Sequence, residues 1–298
     1  NKIDKLASGE KEMVLSSGWA GSQLLNSDDY RAYVGGTTGL IYGFVNDGFY
    51  TVDDFKPFDS KSRTWTLKDG VVNSSPLSGD PRPGNAKFKK LTPVDENSAN
   101  PYTLTDDDRT VIGNTTPKFS GGFGLNATFK GFDVSAFFNF MYDFDVFNAN
   151  KVMMTTWASN NYNNFSMDIS AAKRWRNFDD MGNEIRYSPE ILAEFNKNAT
   201  MWNPTSIGRP IAMSYAVEDG SFLRLNTATI GYTLPRAWTN KVGLSRVRFY
   251  ASGYNLFTIT GYSGYDPEVD IATGLTPNID NNRYPRSRTY TFGVQLTF

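Results

Sequence analysis

From Thr289 to Phe298 apolar and polar side chains alternate without a break: Tyr290, Phe292, Val294, Leu296 and Phe298 against Thr289, Thr291, Gly293, Gln295 and Thr297. Successive side chains of a strand point to opposite faces, so this predicts a strand with one oily, aromatic-rich face and one polar face. Two further segments repeat the pattern. Phe119, Gly121, Phe123, Leu125, Ala127 and Phe129 alternate with Ser120, Gly122, Gly124, Asn126 and Thr128. Beyond Lys130-Gly131, Phe132, Val134, Ala136, Phe138 and Phe140 alternate with Asp133, Ser135, Phe137 and Asn139. Together they read as a hairpin with a very short connection, each arm reaching the about 9 to 11 residues of a tilted membrane strand. Val247 to Phe257 sets Val247, Phe249 and Ala251 against Arg248, Tyr250, Ser252 and Tyr254. Ser221 to Leu234 changes parity between Leu225 and Ala228, which predicts a bulge near Asn226 or a strand partly outside the oily band. Arg31 to Asn46 reads as a weaker strand with Leu40, Tyr42 and Phe44 on one face, and Asn1 to Leu6 as a stub closing a preceding strand.

The connections are unequal. Lys130-Gly131 and 235–245 are short, whereas 47–118, 143–220 and 258–286 are long, polar and dense in Asn, Asp, Pro and Gly. Short turns alternating with long loops are the habit of outer-membrane barrels, and compact soluble domains seldom carry loops of such length. Within the loops, Ser188-Pro189-Glu190 predicts a helix start with a serine cap and proline in the first turn. A second short helix is expected over 168–176. About seven strands are visible, odd in number and below the eight of the smallest bacterial barrels, so the expected fold is all-β: part of the wall of a larger barrel whose remainder lies upstream. A soluble secreted carbohydrate-binding β-sandwich stays open as an alternative, provided a second sheet buries the oily rows.

Composition narrows the chemistry. Aromatic residues make up 15% of the 298 and charged residues 20%, a balance that suits a barrel with aromatic girdles. Net charge is −1, which gives no electrostatic reason to expect nucleic acid. The chain has no cysteine and no histidine, which removes disulfides, thiolate chemistry, the usual metal ligands and every nucleophile that leans on an imidazole. A carboxylate glycosidase lacks an identifiable acid and nucleophile pair. No enzyme activity and no cofactor are expected. No apolar run approaches the roughly 18 to 20 residues of a spanning helix, and the first residues lack the apolar core of a signal peptide.

Several phrases, in order, resemble the C-terminal portion of SusC/RagA-type TonB-dependent outer-membrane transporters. They are Ile41-Tyr42-Gly43-Phe44-Val45-Asn46-Asp47-Gly48-Phe49-Tyr50, the stretch from Asp107-Asp108-Arg109 to Gly121-Gly122-Phe123, Glu218-Asp219-Gly220-Ser221-Phe222-Leu223-Arg224-Leu225 with Ile230-Gly231-Tyr232-Thr233-Leu234-Pro235, Tyr254-Asn255-Leu256-Phe257, Tyr262-Ser263-Gly264-Tyr265-Asp266-Pro267-Glu268 and the terminal strand. The resemblance implies a barrel of about 22 strands with a plugged lumen in the bacterial outer membrane. It implies energy supplied through TonB, a SusD-like surface lipoprotein as lid, and oligosaccharide or peptide as cargo. The whole chain, 1–298, would be the C-terminal part of the barrel domain, set against outer-membrane lipid, with the plug, the earlier strands and the TonB contact upstream. The family's acidic stretch is incomplete at Asp95-Glu96-Asn97-Ser98-Ala99-Asn100, which lacks the turn glycine of a calcium loop, so no metal is expected.

The candidate substrate residues are loop aromatics able to stack on sugar rings or apolar peptide side chains: Trp157, Tyr162, Trp175, Trp202, Tyr262 and Tyr265. The bland reading is that they pack the loops. Asp106-Asp107-Asp108 reads as a solvated turn. Lys173, Arg174 and Arg176 are open to an anionic ligand or to plain loop solubility.

Overall fold

The computed structural model describes residues 2–7, 9–26, 28–156, 165–269 and 274–298. The chain forms two units: Asn1–Thr115, Phe147–Val217 and Ala272–Asn281 make the first, and Thr116–Val146, Glu218–Ile271 and Asn282–Phe298 the second.

In the first unit, β1 (Glu12–Leu15), β2 (Tyr30–Tyr33), β3 (Leu40–Phe44) and β6 (Arg109–Asn114) form a sheet in the order β1-β2-β3-β6, while β4 (Asn46–Phe49) pairs with β5 (Ala86–Phe88). The single strand expected over 31–46 is therefore two, broken where Gly35 and Gly39 take φ of 92° and 74°, values that side chains other than glycine's resist. Strand β3 is buried on both faces rather than alternating. A Cβ on Gly43 would sit 2.2 Å from the Ala212 carbonyl oxygen, so only glycine admits that backbone. The segment 2–6 is not a strand; Ile3 exchanges backbone bonds with Gly35 and Gly36.

The long segments expected as loops hold a core of their own. Phe88, Leu104, Val152, Ile169, Trp202, Ile207, Ile211 and Met213 join Tyr30, Ile41 and Phe44 in one buried cluster. Short alternating runs are the sequence signal for amphipathic strands, whereas this core is assembled from single apolar residues scattered through turns, so periodicity could not reveal it. The helix at Pro189–Phe195 forms as expected and buries Leu192, although the Ser188 hydroxyl makes no cap bond. The stretch 168–176 holds only a single 3-10 turn, Met167–Ile169, which ends where Ser170 turns extended.

Asp108 departs from the solvated turn. It is fully buried and accepts hydrogen bonds from the Leu91, Thr92 and Thr105 amides, the Thr92 hydroxyl and the Lys90 ammonium. Burial alone would raise its pKa; these donors outweigh it and bring the value to about 2.

The second unit contains β7 (Phe119–Phe129), β8 (Phe132–Tyr142), β11 (Phe222–Thr233), β12 (Arg246–Thr260) and β14 (Thr289–Thr297), antiparallel in the order β14-β12-β11-β8-β7. Three short strands, β9 (Asp145–Asn148), β10 (Val217–Asp219) and β13 (Ile279–Asp280), lie between these in sequence. The hairpin is as expected: Phe129 faces Phe132, and Lys130 and Gly131 both have positive φ, the two-residue turn whose twist matches the strands. The bulge also falls where the parity change put it, between Leu225 and Thr227. Its consequence is visible in the register. Tyr232, Ile230 and Ala228 face Phe132, Val134 and Ala136; after the extra residue, Leu225 and Leu223 face Phe138 and Phe140. Without Asn226, the two leucines would turn to the polar side. The row continues through Phe249, Ala251, Phe257 and Ile259 on β12 and Val294, Phe292 and Tyr290 on β14.

Candidate functional site

The two faces of this five-stranded sheet differ in kind. On the oily face Leu125 is 60% exposed, Ile230 52%, Ile259 61% and Phe292 81%. Among the described residues no second sheet covers them, so the sandwich alternative fails on its own condition. Strands β7 and β14 are unpaired on their outer edges among the described residues, so the sheet is open rather than closed on itself.

The opposite face is polar and tied across strands. The Arg248 guanidinium binds the Asp133 carboxylate, Nε to Oδ1 at 2.9 Å, and the pair passes over Gly231. A Cβ on that glycine would lie 2.4 Å from Arg248 Nη2 and 2.6 Å from Asp133 Oδ1. Tyr250 likewise lies across Gly293, whose Cβ would come within 2.3 Å of the ring. The Thr229 and Ser252 hydroxyls bond at 2.8 Å. Glycine in these strands makes room for a neighbour's side chain.

Above β11 sits a buried charge cluster. Arg224, 2% exposed, binds Asp266 at 2.5 Å and approaches Glu268 at 3.3 Å; Arg286 binds Glu268 at 2.8 Å. Ser263 donates from its amide and hydroxyl to Glu218. Thr260 closes onto the Ser221 carbonyl. Tyr262, Phe144, Val146, Phe222 and Val269 pack together beside them. The segment 260–268 is thereby fastened to the start of β11. Two arginines against two carboxylates leave the cluster neutral, which is what lets it be buried.

Of the six candidate aromatics, Trp157 and Tyr162 lie outside the described residues. Trp175 and Trp202 are 3% and 2% exposed. The Trp175 ring fills the space over Gly84, where a Cβ would be 2.1 Å away, and meets Phe49 edge-on at 5.7 Å. Trp202 meets Tyr215 at 4.8 Å. Tyr262 belongs to the packed cluster just described. Tyr265 is 86% exposed, which makes it the one described member with an open ring. Around Trp175, Lys173 pairs with Asp168 and Arg176 with Asp180, while Arg174 donates to the Ile169 carbonyl; these cations have local work. Sequence reasoning missed the role of Arg224. The signal was present: a lone charge between Leu223 and Leu225 in an oily strand needs a buried partner. Asp266 and Glu268, some forty positions on, could not be matched to it without the fold.

No protein-family model matches the chain. It is 29% identical over 304 residues to TonB-dependent receptor P3 of Formosa agariphila, a match covering 100% of this chain and 26% of that protein. TonB-dependent receptor SusC of Bacteroides thetaiotaomicron is 32% identical over 164 residues, 50% of this chain and 15% of its own length. The solved RagAB peptide importer in its closed-closed state matches across 100% of the chain and 26% of the solved one, with a TM-score of 0.62 at 22% identity. The chain is similar to TonB-dependent receptors over its whole length, and its fold matches that of the solved RagAB importer. It spans about a quarter of the length of the curated receptors P3 and P39 that it matches. The five-stranded sheet is part of a barrel wall. Its open edges and uncovered oily face follow from being a section of a longer closed ribbon, since closure alone removes sheet edges.

Proposed function

We propose that the chain is a wall segment of an active nutrient importer in the bacterial outer membrane. The observation that carries this is the two-faced sheet: an oily row that stands exposed among the described residues and a polar, cross-linked reverse. Lipid outside and water inside account for both faces. In this reading the cargo is an oligosaccharide or a peptide, a SusD-like surface lipoprotein closes over the mouth, and TonB drives the cycle through a plug elsewhere in the protein. The kinship to SusC and to a solved peptide importer supports the class. Transport requires no side chain to react, in keeping with a chain that lacks histidine and cysteine. Tyr265 contributes an open ring to cargo or lid, and Trp157 and Tyr162 share that role. Trp175, Trp202 and Tyr262 serve it indirectly by holding their backbones.

The test uses the complete transporter in its own cell. Outer-membrane fractionation should recover it with the lipid, and uptake of cargo should stop when TonB or the lipoprotein is deleted. Recovery as a soluble monomer, or uptake indifferent to loss of TonB, would overturn the proposal.

A further inference from the structure

The first unit contains an open cleft of about 780 Å³ that none of the foregoing uses. Four arginines line it, Arg63, Arg82, Arg186 and Arg209, against one acid, Asp80; the chain as a whole has a net charge of −1. Positive charge is therefore concentrated here. Arg186 is paired with Glu184. The other three meet no carboxylate within ion-pair distance among the described residues, and each is exposed.

Two are positioned without spending their charge. Arg63 lies over the Tyr187 ring, 5.1 Å from its centre, a contact that leaves the planar donor edge free for an anion. Arg209 donates from Nε and Nη2 to the carbonyls of Ser22, Gln23 and Leu24, which fixes the fork while Nη1 stays available. The remaining lining mixes polar Thr64, Asn85, Asn177 and Thr205 with the rings of Trp65 and Tyr187 and with prolines, while Leu77 and Leu192 are largely covered, 8% and 1% exposed. The cleft thus sets guanidinium forks and polar groups beside flat rings, and such rings can lie against the face of a sugar. A hydroxyl-rich ligand with negative groups matches amides, hydroxyls and guanidinium forks.

We infer that this cleft binds an acidic oligosaccharide, a short run of sugar units bearing carboxylate or sulfate groups. The inference deepens the importer reading and rests on it for the ligand's purpose, while binding itself is measured without transport. The probes are tetragalacturonate, its methyl ester, a sulfated neutral tetrasaccharide and tetraglutamate, titrated by calorimetry into the purified complete transporter. The free acid or the sulfated sugar should bind, the ester should bind at least roughly tenfold more weakly, and added salt should weaken binding. Whichever of the two charged sugars binds tighter identifies the anionic group. Arg82→Gln should weaken binding roughly tenfold or more, whereas Lys61→Gln, the same charge change on a nearby residue outside the cleft, should not. Four results would overturn the assignment: equal affinity for ester and acid, tighter binding of tetraglutamate than of either charged sugar, equal effects of the two substitutions, or no binding because another part of the transporter fills the cleft. Cells that still import a neutral cargo while the anionic sugars fail to bind would sink the cleft assignment alone and leave the importer standing.

Discussion

Ile230 is the sharpest place to ask which solvent meets the oily face. It lies on β11, the central strand, paired on both sides by β8 and β12, so its 52% exposure arises from the open face and not from a missing neighbour. Fully burying an isoleucine is worth about 1.5–3 kcal/mol, so sinking the exposed half in lipid contributes roughly 0.8–1.6 kcal/mol. An arginine in a lipid-facing position adds a penalty of about 2–4 kcal/mol near the midplane. Ile230→Arg should then destabilise the folded transporter by about 3–6 kcal/mol. The adjacent Thr229 points to the other face, where its hydroxyl meets Ser252; Thr229→Arg should lose about 1 kcal/mol, the worth of one hydrogen bond. Urea titration of the complete protein folded into lipid vesicles, followed by tryptophan fluorescence, reads both. In water the order reverses, because replacing an exposed isoleucine by arginine is neutral or helpful there. If Ile230→Arg proves no more damaging than Thr229→Arg, the lipid-facing reading is refuted.

Three further outcomes are expected. Arg224→Met leaves Asp266 with no cation and Glu268 with Arg286 alone, and should cost about 3–5 kcal/mol by the same titration; a loss near zero would mean the cluster is solvated. Gly43→Ala drives a methyl to within 2.2 Å of the Ala212 carbonyl oxygen and should cost about 1–3 kcal/mol, whereas Gly124→Ala, whose nearest neighbours lie at 3.8 Å, should be tolerated; thermal melting of the two variants compares them. The Asp108 carboxyl titrates near 2 when folded, against 3.8 for the free side chain. Its stabilisation, roughly 2 kcal/mol, is thus fully present above pH 4 and lost as pH falls through about 2. The stability gap between wild type and Asp108→Asn should shrink over that range, and a gap independent of pH would contradict it.

Much of the wall was legible in one dimension, because a strand with a different solvent on each face writes its environment into every second residue. Phe119–Phe129 and Phe132–Tyr142 could be paired from alternation and a Lys-Gly turn, and the parity change at Asn226 marked a bulge before its register was known. Burial in the first unit left no such trace. Trp175 and Trp202 read as open stacking platforms because large aromatics in polar loops look the same whether they face solvent or each other, and only Gly84 and Tyr215 decided the matter. Asp108 looked like one of three solvated aspartates, yet five donor groups from two stretches, 90–92 and Thr105, enclose it.

The sequence by itself determined the solvent each barrel strand expects, through period-two alternation, and the class of chemistry available, through the absence of histidine and cysteine. Tertiary structure alone decided which distant charges meet, as Arg224 with Asp266 and Glu268, and where three unpaired arginines gather around one cleft. Alternation is a local property of neighbours in the chain, whereas charge pairing and clefts depend on distances between residues tens to hundreds of positions apart, which no local pattern encodes.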